Sequence, residues 1–325
     1  MRCLISESND PYFNLAFEEY FLKNSNEEFF ILYINEPCIV VGKHQNLLSE
    51  INLPYVLENK LKLARRVSGG GTVFQDLNNV NFCFLRNCQN IEKINFEKFT
   101  YPILKALHQL NLNAKFSDRH DILIDNKKVS GNAMHVYRNR VLSHGTLLYK
   151  SDLSHLTQTL NNNPYKYSDK SIKSVKSNVT NINTYLQSEL NTFEFCKLLL
   201  KIIDLDVPTV SNMKLTLNET AHISKLANEK FHSWDWIYGY SPKYIFSNSI
   251  HVGTELLEFQ LEVIKGVIKD VKISFTKQDS IIANKINSLV EVRHEYYSIY
   301  NQLLKQNNDD PQDTIDIANF CSYLF

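Results

Sequence analysis

No two of the six cysteines (Cys3, Cys38, Cys83, Cys88, Cys196 and Cys321) are spaced C-x-x-C. That excludes the common zinc frameworks and points instead to reduced, mostly buried thiols in a reducing compartment. No apolar run approaches the roughly 20 residues that cross a bilayer. The chain starts Met1-Arg2-Cys3-Leu4-Ile5-Ser6-Glu7, with an acidic residue too early for a secretory leader, so a cytoplasmic protein with no membrane partner is expected. Charge of one sign is also missing: 35 Lys and Arg face 35 Asp and Glu. A balanced total gives no global field for nucleic acid or anionic lipid, so an anionic ligand must be held by a local cluster. Internal repeats and low-complexity tracts are absent, and glycine is scarce, with nine in 325 residues.

The length suits one large domain and one small domain, with enough chain to bury a core without metals or disulfides. Asp10-Pro11 reads as a helix start, with an N-cap acceptor followed by proline at the first helical position. Phe29–Ile34 and Cys38–Gly42 read as strands split by Asn35-Glu36-Pro37. A short helix near Pro54–Lys62 precedes strands at Leu63–Val67, Val73–Gln75 and Val80–Leu85. Helical spacing over Phe96–Leu110 is followed by strand-rich sequence with tight turns at Asp125-Asn126 and Arg138-Asn139. The polar stretch Asn161–Ser177 reads as a long mobile loop or lid. Helices follow near Phe193–Ile203 and Glu219–Lys230. Past a break near residues 237–246 come strands bent at Lys265-Gly266, and then helices near Ser280–Val290, Arg293–Leu304 and Thr314–Leu324. The expected fold is α+β, with catalytic residues 1–241 and a C-terminal α+β domain over 242–325.

Three of the scarce glycines stand together as Gly69-Gly70-Gly71 between two strand-like runs. With no side chains in the way, their N–H groups can approach an anion. Arg65 and Arg66 just upstream carry guanidinium forks suited to phosphate or carboxylate, although two solvated arginines at a flexible turn would look the same. The pattern is not a Walker or Rossmann sequence. A second segment, Asp121 to Ala133, places Lys128 beside the small residues Ser130 and Gly131; taken alone, Lys127 and Lys128 read as solvated hairpin charges. In the third, Ser143-His144-Gly145-Thr146, a histidine beside glycine at a strand entrance reads as structural before it reads as acid or base.

Together these segments resemble the lipoate–protein ligase family, of the biotin/lipoate ligase superfamily. The resemblance rests on Phe13-Asn14-Leu15-Ala16 with Glu18-Glu19; Val41-Gly42-Lys43 with Gln45-Asn46; Arg65-Arg66 through Asp76; Lys128-Val129-Ser130-Gly131 with Ala133; and His144 through Leu148. It continues through Ser174–Asn181 and Ser233-Trp234-Asp235-Trp236, covering at least the first 245 residues. It implies a large domain of mixed β-sheets flanked by helices, with a small C-terminal accessory domain as in bacterial members.

The resemblance also implies a two-step enzyme. Lipoate and ATP give lipoyl-AMP and pyrophosphate, and a carrier-protein lysine then displaces AMP. The carriers would be lipoyl domains of 2-oxoacid dehydrogenase E2 subunits or the glycine-cleavage H protein. Lys128 would be catalytic, meeting both the lipoate carboxylate and the α-phosphate. ATP and lipoyl-AMP would lie on Arg66, Ser68, Gly69, Gly70, Gly71, Thr72, Val73, Phe74, Asn79, Asp121, Lys128 and Ala133. Lipoate would lie on Gly71, Lys128, His144 and Gly145. Asp121 is a candidate Mg²⁺ ligand or simply a turn aspartate. Gln75 stands where the family commonly has histidine, Asn78-Asn79 where it has Gly-Asn, and His120 where it has asparagine. An ATP-independent octanoyl or lipoyl transferase, a non-catalytic lipoate- or carrier-binding protein and, further off, a biotin ligase are the alternatives.

Overall fold

A computed structural model describes residues 1–89, 94–160, 164–187, 189–206, 214–275, 280–309 and 315–325. In chain order the elements begin with β1 (Arg2–Ile5), α1 (Pro11–Asn24), β2 (Phe29–Tyr33), β3 (Cys38–Val41), α2 (Leu47–Glu50), α3 (Leu53–Glu58), β4 (Lys62–Arg65), β5 (Val73–Gln75) and β6 (Asn79–Asn87). They continue through α4 (Phe96–Gln109), β7 (Ala114–Phe116), β8 (Ile122–Ile124), β9 (Lys127–Ser130), β10 (Asn132–Tyr137), β11 (Arg140–Leu148), α5 (Leu153–Thr159) and β12 (Tyr167–Asp169). The chain finishes with α6 (Thr192–Asp206), α7 (Leu217–Leu226), β13 (Tyr244–Val252), β14 (Glu255–Ile264), β15 (Val267–Ser274), α8 (Ile281–Asn287), α9 (Tyr296–Asp309) and α10 (Ile317–Ser322).

Two compact units form, the first from Met1–Lys43, Leu61–Gln158 and Ser174–Ser233 and the second from His44–Lys60, Thr159–Lys173 and Trp234–Phe325. The first unit is built on a five-stranded sheet ordered β1-β2-β6-β11-β10, with smaller sheets β4-β3-β5 and β7-β8-β9. β1 runs parallel to β2, and β3 to β4, while their other neighbours are antiparallel, so both sheets are mixed as expected. Alternation along the strands sends side chains to opposite faces. Phe30, Leu32, Phe82, Phe84 and Leu147 join a core with Ile103 and Leu107 of α4 and Phe195 and Leu199 of α6. On the other face Phe29 meets Phe21 of α1 at 4.5 Å between ring centroids.

Helix α1 starts as the sequence suggests: the Asp10 side chain accepts from the Tyr12 N–H, with Pro11 at the first turn. It also carries buried Asn14, Glu18 and Glu19 among its aromatics. Charged groups survive burial only when partnered. Glu19 is gripped by Lys23 at 2.5 Å and by Lys230 at 2.6 Å. Burial pushes the Glu19 carboxyl up, but the two lysines prevail and hold it below the usual glutamate value.

The second unit holds an antiparallel sheet ordered β12-β13-β14-β15. Leu257, Phe259, Leu261 and Val263 of β14 point inward at alternate positions. The expected bend at Lys265-Gly266 is a tight turn with φ of 50° and 72°. A Cβ at Gly266 would lie 2.8 Å from the Trp234 ring, so glycine is required there by both conformation and space. His294 is buried, bonded to Tyr244 Oη and to the Leu324 carbonyl at 2.7 Å each, and burial pushes it down to about 4.

Most expected elements are present within a few residues of their expected limits. The stretch Asn161–Ser177 is a correction. Residues 161–163 lie outside the described residues, but Tyr167–Asp169 forms β12 and pairs with β13. A three-residue strand anchored by one buried aromatic, Tyr167, is too short to raise a period-two signal. Asp169 then accepts from Asn46 at 3.0 Å and Lys173 at 2.9 Å, while Gln45 donates to the Ile172 carbonyl. The polar residues of that stretch are therefore part of a network.

Candidate active site

Strand register assembles the site. Ile31, Cys83, His144 and Ala133 are consecutive partners across β2, β6, β11 and β10, and so form one row on the α1 face. His144 is buried in that row. Its Nδ1 lies 2.8 Å from Glu18 Oε2, and its Nε2 lies 2.6 Å from Ser68 Oγ. Tyr33 donates to Glu18 Oε1 at 3.0 Å. The neighbouring Gly145 faces the opposite side, where a Cβ would come within 2.7 Å of the Phe82 ring and 2.8 Å of the Gly131 carbonyl. Glycine at 145 thus leaves the room that the Phe82 ring and the Gly131 carbonyl occupy.

The glycine run follows β4 as a loop braced from beneath. Arg66 is buried, and its Nε donates to Ser68 Oγ at 3.0 Å. Nη1 donates to the Val40 carbonyl at 3.1 Å, and Nη2 donates to the Gly69 and Gly71 carbonyls at 2.7 Å each. Burial pushes the guanidinium down to about 10, with Tyr33 and Glu18 opposing the shift. Gly70 adopts φ +90°, and a Cβ there would sit 3.1 Å from Arg66 Nη2 and 3.8 Å from Ala133 Cβ. The loop therefore rests against the end of the His144 row. Arg65, also fully buried, donates to the Gly42 and Lys43 carbonyls.

Lys128 lies on β9, after the Asp125-Asn126 turn, whose φ values are 49° and 61°. Its Nζ pairs with Asp121 Oδ1 at 3.0 Å. A Cβ at Gly131 would stand 3.0 Å from that Nζ, so this glycine leaves the ammonium its space. The segment 174–180 joins the two halves. Ser174 Oγ accepts from the Thr72 N–H at 2.8 Å, the Lys128 N–H donates to the Asn178 carbonyl at 2.7 Å, and the Thr180 N–H donates to the Lys128 carbonyl at 3.0 Å. Glycine loop and lysine are thereby held in one frame.

The other expected site residues fall around this frame. Val73 pairs with Val40 in the small mixed sheet, and buried Phe74 stacks on His155 with ring centroids 6.1 Å apart. Asn79 is buried in β6; its Nδ2 donates to Asn81 Oδ1, and its own Oδ1 has no hydrogen-bond partner among the described residues. Gln75 points into an amide ladder: Ser6 Oγ donates to Asn14, Asn14 to Asn35, and Asn35 Nδ2 to Gln75 Oε1 at 2.6 Å. His120 has φ +62° and offers its carbonyl to Asn132 at 2.7 Å, in a region that asparagine and histidine both tolerate. Among the described residues no group of three His, Cys, Asp or Glu could hold a metal. Asp121 is a single carboxylate beside the lysine. All six thiols are free, and burial raises Cys38 and Cys83 well above the ordinary thiol range. No helix among the described residues is long and apolar enough to cross a membrane.

Residues that sequence reasoning gave no role include Glu18, Tyr33 and Ser174. Asn14 and Glu18, four apart among the aromatic residues of α1, were the available signal for the first. Ser174 fell inside the stretch read as a mobile loop.

The model of the lipoyl protein ligase A/B catalytic domain matches residues 10–204. The lipoate-protein ligase LplJ of Bacillus subtilis is 42% identical over 269 residues, covering 82% of this chain and 81% of that protein. Lipoate–protein ligase 1 of Staphylococcus aureus is 42% identical over 273 residues, with 83% of each covered. Among solved structures, LipL1 of P. falciparum in complex with lipoate superposes with a TM-score of 0.62 at 26% identity, covering 99% of this chain and 97% of that one.

Proposed function

The chain belongs to the lipoyl protein ligase A/B family, and on that footing we propose that Lys128 and the glycine loop are the centre of its reaction. The activity is ATP-dependent ligation of lipoate to protein. In the first step a lipoate carboxylate oxygen bonds to the α-phosphorus of ATP, and the bond to the β-phosphate oxygen breaks, releasing pyrophosphate. In the second, an acceptor lysine amine attacks the lipoyl carbonyl carbon, the bond to AMP breaks, and the amine loses a proton.

The difficulty of the first step is like charge meeting like charge, so fixed positive groups should carry much of the catalysis. Lys128, held by Asp121 and given room by Gly131, would bridge carboxylate and α-phosphate. The backbone of Ser68 through Phe74, with Asn79, Asp121 and Ala133, would line the nucleotide side; Gly71, His144 and Gly145 would line the lipoate side. Arg66 serves the phosphates by fixing the loop that faces them. Asp121 would be the protein ligand to a Mg²⁺ carried by ATP, and that ion would draw charge from the phosphates. The buried thiols of Cys38, Cys83, Cys196 and Cys321 are poor nucleophiles, because burial disfavours the thiolate that would attack. The acceptors are lysines of lipoyl-domain carriers, E2 subunits or glycine-cleavage H protein, in the cytoplasm. Residues from 242 onward act as the accessory domain to a catalytic domain over 1–241.

The observation that carries this reading is the segment 174–180, bonded at one end to Thr72 and at the other to Lys128. The test is pyrophosphate release with ATP, Mg²⁺ and lipoate and no carrier. Wild-type protein should show lipoate-dependent release, and Lys128→Ala should lower it by about 10²–10³-fold with an unchanged melting profile. Wild-type rates in that variant would remove Lys128 from the mechanism.

A further inference from the structure

Buried charges need partners, yet among the described residues the Arg66 guanidinium donates only to carbonyls and a hydroxyl. The carboxylate joined to it is Glu18, three hydrogen bonds away: Glu18 to His144 to Ser68 to Arg66. Donor accounting sets the direction of that path for a neutral His144. The Arg66 Nε–H can only donate, so Ser68 Oγ accepts from it and turns its own proton to His144 Nε2 at 2.6 Å. The next acceptor for that proton, the Gly69 carbonyl, lies at 3.5 Å. His144 then carries its proton on Nδ1 and donates to Glu18 at 2.8 Å. Tyr33 donates to the other Glu18 oxygen at 3.0 Å; burial and the neighbouring Glu18 charge keep its phenol protonated.

The order serine, histidine, carboxylate matches that of a hydrolytic triad, but the environment does not. Ser68 is fully buried and already accepts from Arg66, so it cannot reach an acyl carbon. What the path can transmit is position. We propose that Glu18, backed by Tyr33, is a positioning residue for the glycine loop. It holds His144 in the Nδ1-protonated form, so that Ser68 and Arg66 keep the Gly69 and Gly71 carbonyls turned inward. This deepens the ligase reading above and rests on it for its kinetic consequence alone.

When the loop leaves its competent arrangement part of the time, apparent affinity falls by the competent fraction while the saturated rate survives. Glu18→Gln keeps the size and removes the charge. It should raise the KM for ATP about tenfold, the scale of one charge-assisted hydrogen bond, with kcat within about twofold. The independent readout is ¹⁵N NMR of histidine-labelled protein, with His144 assigned by a His144→Gln control. Wild type should show a pyrrole-type Nδ1 and a pyridine-type Nε2, and Glu18→Gln should move both toward averaged values. Tyr33→Phe, which keeps the ring and the charge, should shift KM and spectrum the same way by a smaller amount and stands in should Glu18→Gln not fold. Nε2-protonated His144 in wild type, or a raised KM with an unmoved His144 spectrum, would overturn the proposal. Lack of pyrophosphate release by wild type would instead strike the ligase reading and leave the tautomer result standing.

Discussion

Replacing Arg66 with lysine separates two jobs a guanidinium could do at this place. Arg66 makes four hydrogen bonds, to Ser68 Oγ and to the carbonyls of Val40, Gly69 and Gly71, at 2.7 to 3.1 Å. Lysine keeps the charge but presents three donors at a single point, and the acceptors lie on different sides of the fork. Two of the four bonds at most survive. Each lost charge-assisted bond is worth about 1.5–3 kcal/mol, so Arg66→Lys should destabilise the first unit by roughly 3 kcal/mol or more. At a few degrees per kcal/mol for a unit of this size, its midpoint should fall by roughly 6–12 °C. Calorimetry reads this directly, and below the transition pyrophosphate release should need more ATP to saturate, as for any loop that spends less time in its competent arrangement. A lysine variant melting within a degree of wild type would refute the brace and make Arg66 a direct phosphate ligand.

Further substitutions follow from the same contacts. Gly145→Ala should cost about 1–3 kcal/mol in thermal unfolding by overpacking and cut lipoate-dependent release at least tenfold, because its Cβ would press on Phe82 and the Gly131 carbonyl. Gly69→Ala is its control: nothing lies within 4 Å of a Cβ there, and its melting curve should overlay wild type. Glu19 titrates in the folded state below its ordinary value, so its grip on Lys23 and Lys230 is complete above that value and disappears as pH falls through the lowered one. Unfolding free energies of wild type and Glu19→Gln from urea titrations should therefore differ by about 2 kcal/mol near neutrality and converge in acid; a gap constant down to pH 3 would contradict the sign.

Much of the fold was legible because its signals are local. Asp10-Pro11 could only begin a helix, and Asp125-Asn126 tolerates the positive φ that its turn requires. The glycine run was visible because glycine is otherwise rare. What stayed hidden depends on partners distant in sequence. Nothing near Tyr167 announces that it will pair with Phe246, and the polar residues after it gave the stretch the look of a loop. A forked cation beside glycines points to phosphate as readily as to carbonyl oxygen, and only the folded loop shows Arg66 beneath its own backbone. His144 and Ser68 are 76 positions apart, so their contact follows from strand register and from no motif.

The amide ladder that ends at Gln75 has a consequence for acid–base behaviour. Every link donates in the same sense, from Ser6 through Asn14 and Asn35 to Gln75, so its dipoles reinforce one another. None of the four groups gains or loses a proton near neutrality. A histidine at the final position would have to stay neutral, with an acceptor nitrogen facing Asn35, and mild acid would turn that acceptor into a donor. With glutamine there, the joint between the start of the chain, helix α1 and strand β5 is silent to pH. Strand β5, which leads directly out of the glycine loop, keeps its anchor when the surroundings acidify.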